Sequence, residues 1–429
     1  MNYVIIGGSA AGISCIEGIR QTDKKSKITL ISDEKFPLYS RCLLSYLLAG
    51  VINESNLNFK PTDFFEKNNV EAMLGVRADS IDPKAKIVTT NNKKKIEFDK
   101  LLIATGARSK MLDIPGVDKK GVFALRTVKD SRDINAMLKG ARTAVVLGGG
   151  LIGLRAAYAL NNRGIIVRVI VKSKQIFSQV LDVVAANLIQ GRVEQRGITV
   201  MKGLAAKEIL GKDSVEGVIL DDGTKLECDL VVIGKGVEPN LELTKTSGVK
   251  VKWGIVVDGY LQTSVQDIFA AGDVAETNDI TSDEAILNAI WPAAIEQGKI
   301  AGRNMAGKKV KYDGSVAMNS VEFFGLPVIS MGTTKPKTEG YEQLSVINEK
   351  DSTYKKVILK DDIIRGFISV GKVENSGVYN ALLKNKIAIT EIKDVLLHER
   401  FNYAKAMPLI KKNKEKFYKE EFKDSIITY

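Results

Sequence analysis

Two glycine-rich loops carry the residue types that can hold a dinucleotide. The first has the spacing G-x-G-x-x-G with a serine in the middle glycine's place, and its members are Gly7, Ser9, Ala10, Ala11 and Gly12. The second has all three glycines, at Gly148, Gly150 and Gly153. Small residues let the backbone approach a pyrophosphate, and free N–H groups at the start of the next helix bind it. Two such loops in one chain predict two dinucleotide-binding units.

The residues that end the next strand differ between the two units. In the first unit Ser32-Asp33-Glu34 follows, about 20 residues after the last glycine, where a carboxylate commonly accepts from a ribose 2′-OH. In the second unit Lys172-Ser173-Lys174 stands at that place. Lys172 and Lys174 are suited to neutralise a 2′-phosphate, so the sequence favours NADP over NAD. Solvated lysines at a strand end are the alternative interpretation.

Short apolar runs before the loops and helical patterns after them must position these residues. The strand before the first loop is Tyr3 to Ile6, and the strand before the second begins at Ala144. Such runs are typical of buried parallel strands. Towards the C-terminus, 346–370 alternates like antiparallel strands, and 375–386 and 392–397 have helical patterns. After residue 400 a basic helical tail has seven lysines against four acids, and a solvated face is its ordinary interpretation.

Composition limits the class of protein. The 429 residues suffice for two or three domains, and the formal net charge is +12. The absence of an apolar run of 18 residues predicts a soluble, unexported protein without a membrane partner. Three cysteines without a paired spacing predict a reducing cytoplasm, and a single histidine, His398, excludes a histidine-based metal site, so no metal is expected. The charge reflects either solubility, or an acidic partner or an anionic substrate.

Five motifs in order carry a resemblance to a known family. They are GGSAAG (7–12), ATGA (104–107), GGGLIG (148–153), GKGVEPN (234–240) and IFAAGD (268–273). Together they resemble the FAD-dependent pyridine nucleotide–disulfide oxidoreductase superfamily, over about residues 1 to 330. NAIWPAA (288–294) and NSVEFFG (319–325) are similar to the branch of rubredoxin reductases and nitrite reductase flavoprotein domains.

The resemblance implies an α/β fold with two doubly wound, Rossmann-like domains and an α+β C-terminal domain. The FAD-binding domain is discontinuous, and the NAD(P)-binding domain interrupts it. The expected boundaries are 1–112 and 242–312 for the FAD-binding domain, 113–241 for the NAD(P)-binding domain and 313–429 for the C-terminal domain.

Site residues follow from the same resemblance. The first loop would hold the FAD pyrophosphate, and Glu34 or Ser32 the adenosine ribose. The other residues expected to contact FAD are Arg41 beside the flavin, Thr105, Gly106, Arg126, Asp273 at the ribityl chain, and Trp291 with Pro292 at the flavin ring. The residues expected to bind the nicotinamide cofactor are Gly148, Gly150, Ile152, Gly153 and Gly236.

Three departures from the family bear on the chemistry. Arg155 replaces a glutamate that the family often has two residues after the last glycine of the nicotinamide motif, which changes the expected surroundings of the nicotinamide. Ala10 stands where NADH peroxidases and oxidases have a histidine, and the paired cysteines of glutathione-type reductases are missing. Cys42 falls on the single redox cysteine of NADH oxidases and coenzyme A disulfide reductases. Arg41 and a helix start are expected to lower its thiol pKa. The alternative is a small buried residue packed under the flavin, as Cys15 and Cys228 are expected to be buried elsewhere.

The resemblance implies electron transfer between NAD(P)H and an acceptor protein through FAD. The favoured acceptor is an acidic rubredoxin- or ferredoxin-like carrier or an iron–sulfur subunit, which a +12 protein would attract. A second hypothesis is reduction of a coenzyme A disulfide or persulfide with Cys42 as the catalytic residue. A third is a flavoprotein that binds nucleic acid, which no interleaved aromatic and basic stretch supports. A homodimer is left open.

Overall fold

The computed structural model describes residues 1–36, 38–282 and 284–417. These residues form two compact units. The first unit comprises 1–172, 203–278 and 285–315, and the second comprises 173–202, 279–284 and the described chain from 316 onward. The finer domain boundaries expected from the sequence stay a prediction.

The first unit contains a five-stranded parallel sheet built from the strands that precede the expected FAD contacts. The strands lie in the order Ile268–Ala270, Lys100–Ile103, Asn2–Ile6, Lys27–Ser32 and Val70–Leu74. The apolar side chains of the first four strands are buried on both faces, as is typical of parallel strands, whereas the edge strand Val70–Leu74 is only partly buried. The strand Ile268–Ala270 joins this sheet although it lies far from the other four strands in sequence. The sheet is therefore built from two separate parts of the chain, as predicted.

A second parallel sheet in the same unit carries the second glycine loop. It contains, in order, Ile166–Val171, Thr143–Leu147, Leu230–Ile233 and Val122–Phe123. Helix Leu151–Asn162 follows the loop directly. Two parallel sheets, each with a glycine loop between its central strand and a helix, confirm the predicted α/β class with Rossmann-like units.

Two helices of the first unit approach each other backbone to backbone. They are Ala10–Thr22, after the first loop, and Trp291–Met305. A Cβ on Gly298 would lie 2.1 Å from the carbonyl oxygen of Ala11, and one on Gly302 would lie 2.2 Å from that of Cys15. Only glycine permits this spacing, because real Cβ atoms do not approach so closely.

Smaller elements complete the first unit. Its short strands form four small sheets. Two are three-stranded and antiparallel, one from Ala78–Asp82, Ile87–Thr90 and Lys95–Glu97 and one from Ala206–Leu210, Gly217–Leu220 and Lys225–Glu227. A two-stranded sheet pairs Ala107–Ser109 with Val237–Pro239, and a further three-stranded sheet contains Ile255–Val256, Ala275–Asn278 and Ala285–Ile286. Its remaining helices are Leu44–Leu48, Phe64–Lys67, Val128–Met137 and Thr244–Ser247, with 3₁₀ turns at Arg41–Leu43 and Glu54–Leu57.

The second unit contains a five-stranded antiparallel sheet with helices. In order its strands are Met318–Phe323, Leu326–Gly332, Ile363–Val370, Thr353–Lys360 and Glu342–Asn348. The other elements are strand Thr199–Lys202 and helices Val183–Glu194, Ser376–Lys384, Tyr403–Lys412 and Lys414–Phe417. The helix expected over 392–397 was wrong in type, because Thr390–Val395 forms a 3₁₀ helix. The basic tail is helical to residue 417, and its remainder lies outside the described residues.

Gly302→Ala tests the contact between the two helices. The added methyl group has no room beside the Cys15 carbonyl, so the free energy of unfolding should fall by about 2 kcal/mol or more. Gly191→Ala, in a helix where nothing lies within 4 Å of the added methyl, is the control and should not destabilise the protein. Thermal unfolding followed by circular dichroism measures both, and equal melting temperatures for the two variants would contradict the contact.

Candidate active site

The first glycine loop directly follows the strand Asn2–Ile6 and lies at the carboxyl edge of the first sheet. Gly7 has φ +117°, and a Cβ there would lie 2.0 Å from the carbonyl oxygen of Ala104. A Cβ on Gly12 would lie 1.9 Å from the carbonyl oxygen of Gly7, so the turn itself requires both glycines. Ser9 precedes the helix, and its carbonyl accepts the first intrahelical hydrogen bond, from Ile13 (3.0 Å). The N–H groups of residues 10–12 precede that bond and suit a phosphate.

Glu34 lies just beyond the second strand, at the same edge, and forms a cluster with Tyr39 and Arg41. Its carboxylate accepts from the Tyr39 hydroxyl (2.5 Å) and from the Arg41 guanidinium. Burial is the largest influence on the pKa of Arg41 and lowers it, but Glu34, Tyr39 and Asp273 together outweigh burial, so the pKa lies above its ordinary value. A carboxylate has about four acceptor positions, so Glu34 keeps capacity for a ribose hydroxyl. Ser32, the alternative, is buried as the last residue of its strand.

Arg41 and Arg126 extend this cluster to the opposite side of the sheet. Arg41 donates to the Ser9 hydroxyl (3.4 Å) and to the carbonyl oxygen of Arg126 (2.9 Å). Arg126 in turn forms an ion pair with Asp273 (2.7 Å), which follows the strand Ile268–Ala270. The structure therefore joins Ser9, Glu34, Arg41, Arg126 and Asp273, all predicted from the sequence, into one hydrogen-bonded network.

Thr105 and Gly106 are held by Asn240, which the sequence analysis did not assign to the site. The Thr105 hydroxyl donates to the Asn240 carbonyl oxygen, and the Asn240 side chain donates to the Thr105 carbonyl oxygen, both at 2.9 Å. The Asn240 N–H donates to the Gly106 carbonyl oxygen (2.9 Å). Gly106 has φ +65° and no atom within 4 Å of an added Cβ, so its turn leaves open space at the edge of the sheet. The asparagine of the GKGVEPN motif was the available signal.

Trp291 and Pro292 begin the helix that packs on the first-loop helix. The Trp291 ring packs edge-on against Phe59, with ring centroids 5.0 Å apart. Further along this helix the buried side chain of Gln297 accepts from the Gly272 N–H (2.7 Å) and thereby fixes the turn before Asp273. Sequence patterns did not identify Gln297, because an amide in an apolar helix gives no signal of its partner.

The second loop separates structural from ligand-directed glycines. A Cβ on Gly148 would lie 2.3 Å from the Gly234 carbonyl oxygen, and one on Gly153 would lie 2.0 Å from that of Gly148. Gly150 has an ordinary φ of −88° and nothing within 4 Å of an added Cβ. Neither backbone strain nor packing explains this glycine, but close approach of a pyrophosphate does. Ile152 lies in the first turn of the helix that follows the loop and is exposed. Gly236, where an added Cβ would have no atom within 4 Å, follows the strand Leu230–Ile233, which pairs with the strand before the loop.

Lys235 is a second cation beside the second loop, in addition to Lys172. Lys172 is exposed at the end of its strand, and the role expected for Lys172 and Lys174 stays a prediction. Lys235 follows the strand on the other side of the loop, and burial, then repulsion from Lys172, lowers its pKa. Among the described residues neither Lys172 nor Lys235 has an ion-pair partner. The sequence analysis missed Lys235 because strand order, not sequence distance, brings it close.

Cys42 is exposed, whereas Cys15 and Cys228 are buried. The expectation for Cys15 and Cys228 is confirmed, whereas the alternative that Cys42 packs under the flavin stays a prediction. The predicted lowering of the Cys42 thiol pKa was wrong. Surrounding protein raises the pKa, the Asp273 charge raises it further, and a hydrogen bond with Ser40 opposes both. Arg41 does not stabilise the thiolate, because Glu34 already binds its guanidinium.

Arg155, the departure from the family's glutamate, links the second-loop helix to the segment after Cys42. Its guanidinium donates to the Ser45 hydroxyl at 3.0 and 2.8 Å. It also lies 4.2 Å from the ring centroid of Tyr46 and 4.7 Å from that of Tyr158. These contacts account for burying a cation here. The expected effect of Arg155 on a bound nicotinamide stays a prediction.

Two parallel sheets, each with a glycine loop at its carboxyl edge, are typical of a protein that binds two dinucleotides. A family model described as pyridine nucleotide-disulphide oxidoreductase matches residues 1–298. The chain belongs to this family and is an FAD-dependent NAD(P)H oxidoreductase. The predicted cofactors, FAD and NAD(P), are therefore confirmed. A second model, the rubredoxin NAD+ reductase C-terminal domain, matches residues 318–387.

Individual relatives differ in what they act with. The chain is 34% identical to nitrite reductase (NAD(P)H) of Bacillus subtilis over 91% of its own length and 48% of that protein, so it spans about half of this relative. It is 31% identical to NADH-dependent phenylglyoxylate dehydrogenase subunit epsilon of Aromatoleum evansii, over 91% of this chain and 93% of that one. A solved structure, the NAD-dependent persulfide reductase from A. fulgidus, superimposes with a TM-score of 0.88 at 26% identity, covering 97% and 84% of the two chains. No described helix has the length and apolar character to cross a membrane.

Gly150→Ala tests the ligand-directed glycine. An alanine at this helix N-cap should cost no more than about 1 kcal/mol of folding free energy. The methyl group meets no protein atom but would meet a bound pyrophosphate, so the KM for NAD(P)H should rise about tenfold or more. Steady-state reduction of ferricyanide measures the KM. Gly153→Ala is the contrasting variant, because its clash should unfold the unit; an unchanged KM in Gly150→Ala would contradict the assignment.

Proposed function

We propose that this chain transfers electrons from NAD(P)H, through FAD, to a redox protein. The acceptor in this proposal is a rubredoxin- or ferredoxin-like carrier, or the iron–sulfur subunit of a larger enzyme. The observation that carries the proposal is the state of Cys42. A thiol with a raised pKa, without a cationic neighbour free to stabilise a thiolate, is poorly suited to attack a sulfur substrate at neutral pH.

The residues at the first sheet fit FAD through their donors and acceptors. Helix N–H groups suit the pyrophosphate, Glu34 has acceptor positions for a ribose hydroxyl, and Asp273 lies where the resemblance places the ribityl chain. The Arg126 ion pair holds the Asp273 carboxylate in one orientation. FAD, when bound, supplies the conversion of a two-electron hydride into single electrons. The protein contributes position and charge.

The kind of acceptor is supported by charge and by the relatives. A net charge of +12 would speed encounter with an acidic carrier by electrostatic steering. The Aromatoleum relative is a subunit of a dehydrogenase and is matched over 93% of its length. The C-terminal match is to a domain described from rubredoxin reductase. We also propose a cytoplasmic location, which three free cysteines support.

A second candidate function is reduction of a coenzyme A disulfide or persulfide through Cys42. Two observations favour it: the thiol is exposed, and a persulfide reductase shares the fold closely. In that reaction the Cys42 thiolate attacks a substrate sulfur and displaces a thiolate from a disulfide, or hydrosulfide from a persulfide. The mixed disulfide that forms is then reduced by two electrons that NAD(P)H supplies.

Cys42→Ser distinguishes the two functions. If electrons go directly to a protein acceptor, the variant should keep more than about half of its activity with rubredoxin or ferricyanide, since no thiol takes part. If a persulfide is the substrate, that turnover should be lost, and in the wild type its rate should rise about tenfold per pH unit between 7 and 8, as thiolate forms below the raised pKa. Cys228→Ala is the control for loss of a cysteine. Loss of ferricyanide activity in Cys42→Ser, with FAD retained, would contradict the proposal.

Lys172 and Lys235 are expected to act on different parts of the nicotinamide cofactor. Lys172 follows the strand where a ribose acceptor commonly stands, so Lys172→Ala should raise the KM for NADPH about fivefold and leave that for NADH unchanged. Lys235 lies on the other side of the loop, where we expect it to contact the pyrophosphate that both cofactors share, so Lys235→Ala should raise both KM values. Lys174→Ala tests whether Lys174 also contacts the 2′-phosphate, as the sequence predicts. Lys225→Ala, at an exposed lysine, is the control. Equal effects of Lys172→Ala on both cofactors would refute the role in NADP selection.

A further inference from the structure

Five buried polar side chains of the first unit form one hydrogen-bonded network. They are Thr277, Asn288, Gln297, Tyr312 and Ser315, and each is at most 7% exposed. A buried polar group costs free energy unless it has a hydrogen-bond partner, so native proteins bury such groups together only where their hydrogen bonds are satisfied. The backbone groups that this network binds show which segments it holds in place.

Gln297 lies at the centre of the network with its amide in a single orientation. Its Oε1 accepts from the Gly272 N–H (2.7 Å), and its Nε2 donates to the hydroxyls of Tyr312 (3.2 Å) and Thr277 (3.4 Å). A backbone N–H can only donate, so the oxygen of the amide must face Gly272. The two hydroxyls accept from the other end of the amide and thereby keep its oxygen directed at the Gly272 N–H.

Tyr312 extends the network to the start of the helix Trp291–Met305. Burial raises the pKa of Tyr312, and hydrogen bonds to its hydroxyl, including one from Ser315, oppose that shift. The Ser315 hydroxyl in turn accepts from Nδ2 of Asn288 (2.7 Å). The carbonyl oxygen of Asn288 accepts from the N–H of Ile290 (2.9 Å), which is the N-cap of the helix. Ile290 has no side chain that could cap the helix, so this anchor helps to fix where the helix begins.

The two segments that the network joins are those expected at the flavin. One is the turn of Gly272 and Asp273, where the resemblance places the ribityl chain. The other is the helix start with Trp291 and Pro292, which is expected at the flavin ring. Gly272 adopts φ +81°, a conformation that glycine adopts most readily, and its N–H is held by Gln297. The network therefore fixes two predicted flavin contacts relative to each other.

We propose that Tyr312, acting through Gln297, is a positioning residue for FAD. Its hydroxyl orients the Gln297 amide, which holds the Gly272–Asp273 turn. Through Ser315 the same hydroxyl is connected to the helix start that carries Trp291. Neither Tyr312 nor Gln297 is assigned a contact with FAD. The inference depends on FAD as the cofactor and not on which acceptor receives the electrons, so it is tested separately from the proposed function.

Release of FAD from the full-length holoenzyme tests this role. We expect Gln297→Met to speed release on dilution about tenfold, because methionine fills a similar space without either hydrogen bond. Tyr312→Phe removes one oxygen and should speed release about threefold. In both FAD-loaded variants the visible absorption spectrum of the bound flavin should shift, which a loss of global stability alone would not cause. Fluorescence of the released FAD measures the rate.

A double variant and a matched tyrosine separate positioning from general destabilisation. If Tyr312 acts through Gln297, adding Tyr312→Phe to Gln297→Met should change the release rate little further, so the two effects should not multiply. Tyr379→Phe is the control, because Tyr379 is fully buried and its hydroxyl donates to the Leu396 carbonyl oxygen in the second unit. It should destabilise the protein without changing the release of FAD or the flavin spectrum.

Three results would overturn the proposal: wild-type release and spectrum in both single variants, effects that multiply in the double variant, or an equal effect of Tyr379→Phe. Tyr312→Phe keeps the ring and removes a single oxygen, so it should fold, and its comparison with Tyr379→Phe decides the matter if Gln297→Met does not fold. Both readouts are made without NAD(P)H or an acceptor, so a failure of the proposed electron transfer would not affect them.

Discussion

The first unit depends on the contact between helices Ala10–Thr22 and Trp291–Met305. Glycines at 18, 298 and 302 let the two backbones meet: a Cβ on any of them would lie 2.1–2.2 Å from a carbonyl oxygen of the other helix. The segment between these helices includes the whole second parallel sheet. Closing the first sheet around such an insertion requires a strong contact between distant parts of the chain, and buried, close-packed backbone supplies it.

The same contact determines where the site residues lie. A Cβ on Gly272 would lie 3.0 Å from the Ala11 Cβ, and Gln297 accepts from the Gly272 N–H. Asp273 is therefore brought to the first loop, within reach of Arg126. The network from Glu34 to Asp273 contains two carboxylates and two guanidinium groups, so it is electrically balanced. The net charge of +12 must then come from the rest of the chain, where an acidic partner can meet it.

Sequence predicted the parts of this site that local chemistry specifies. Glycine at 7, 12, 148 and 153 is required by a turn and a close backbone approach, and such requirements leave a spacing that can be recognised. Strands such as Ile166–Val171 followed from apolar β-branched runs. Gln297, Asn240 and Lys235 were missed because their roles depend on partners that only the tertiary structure brings close. The pKa of Cys42 was mispredicted for the same reason: the sequence shows Arg41 next to it but not the Glu34 carboxylate that binds Arg41.

The charges around Cys42 bear on how one fold can serve either reduction of a sulfur substrate or direct electron transfer to a protein. A thiolate needs a neighbouring positive charge, and Arg41 stands one residue away. Arg41 is already hydrogen-bonded to Glu34, Tyr39 and a carbonyl oxygen, so the Glu34 carboxylate offsets its positive charge and it stabilises a second anion only weakly. The negative charge of Asp273 further disfavours a thiolate at Cys42. The ion pair that holds the FAD-site network together therefore works against thiol chemistry at Cys42. In this chain the charges around Cys42 therefore support the proposed transfer to a protein acceptor over transfer through sulfur.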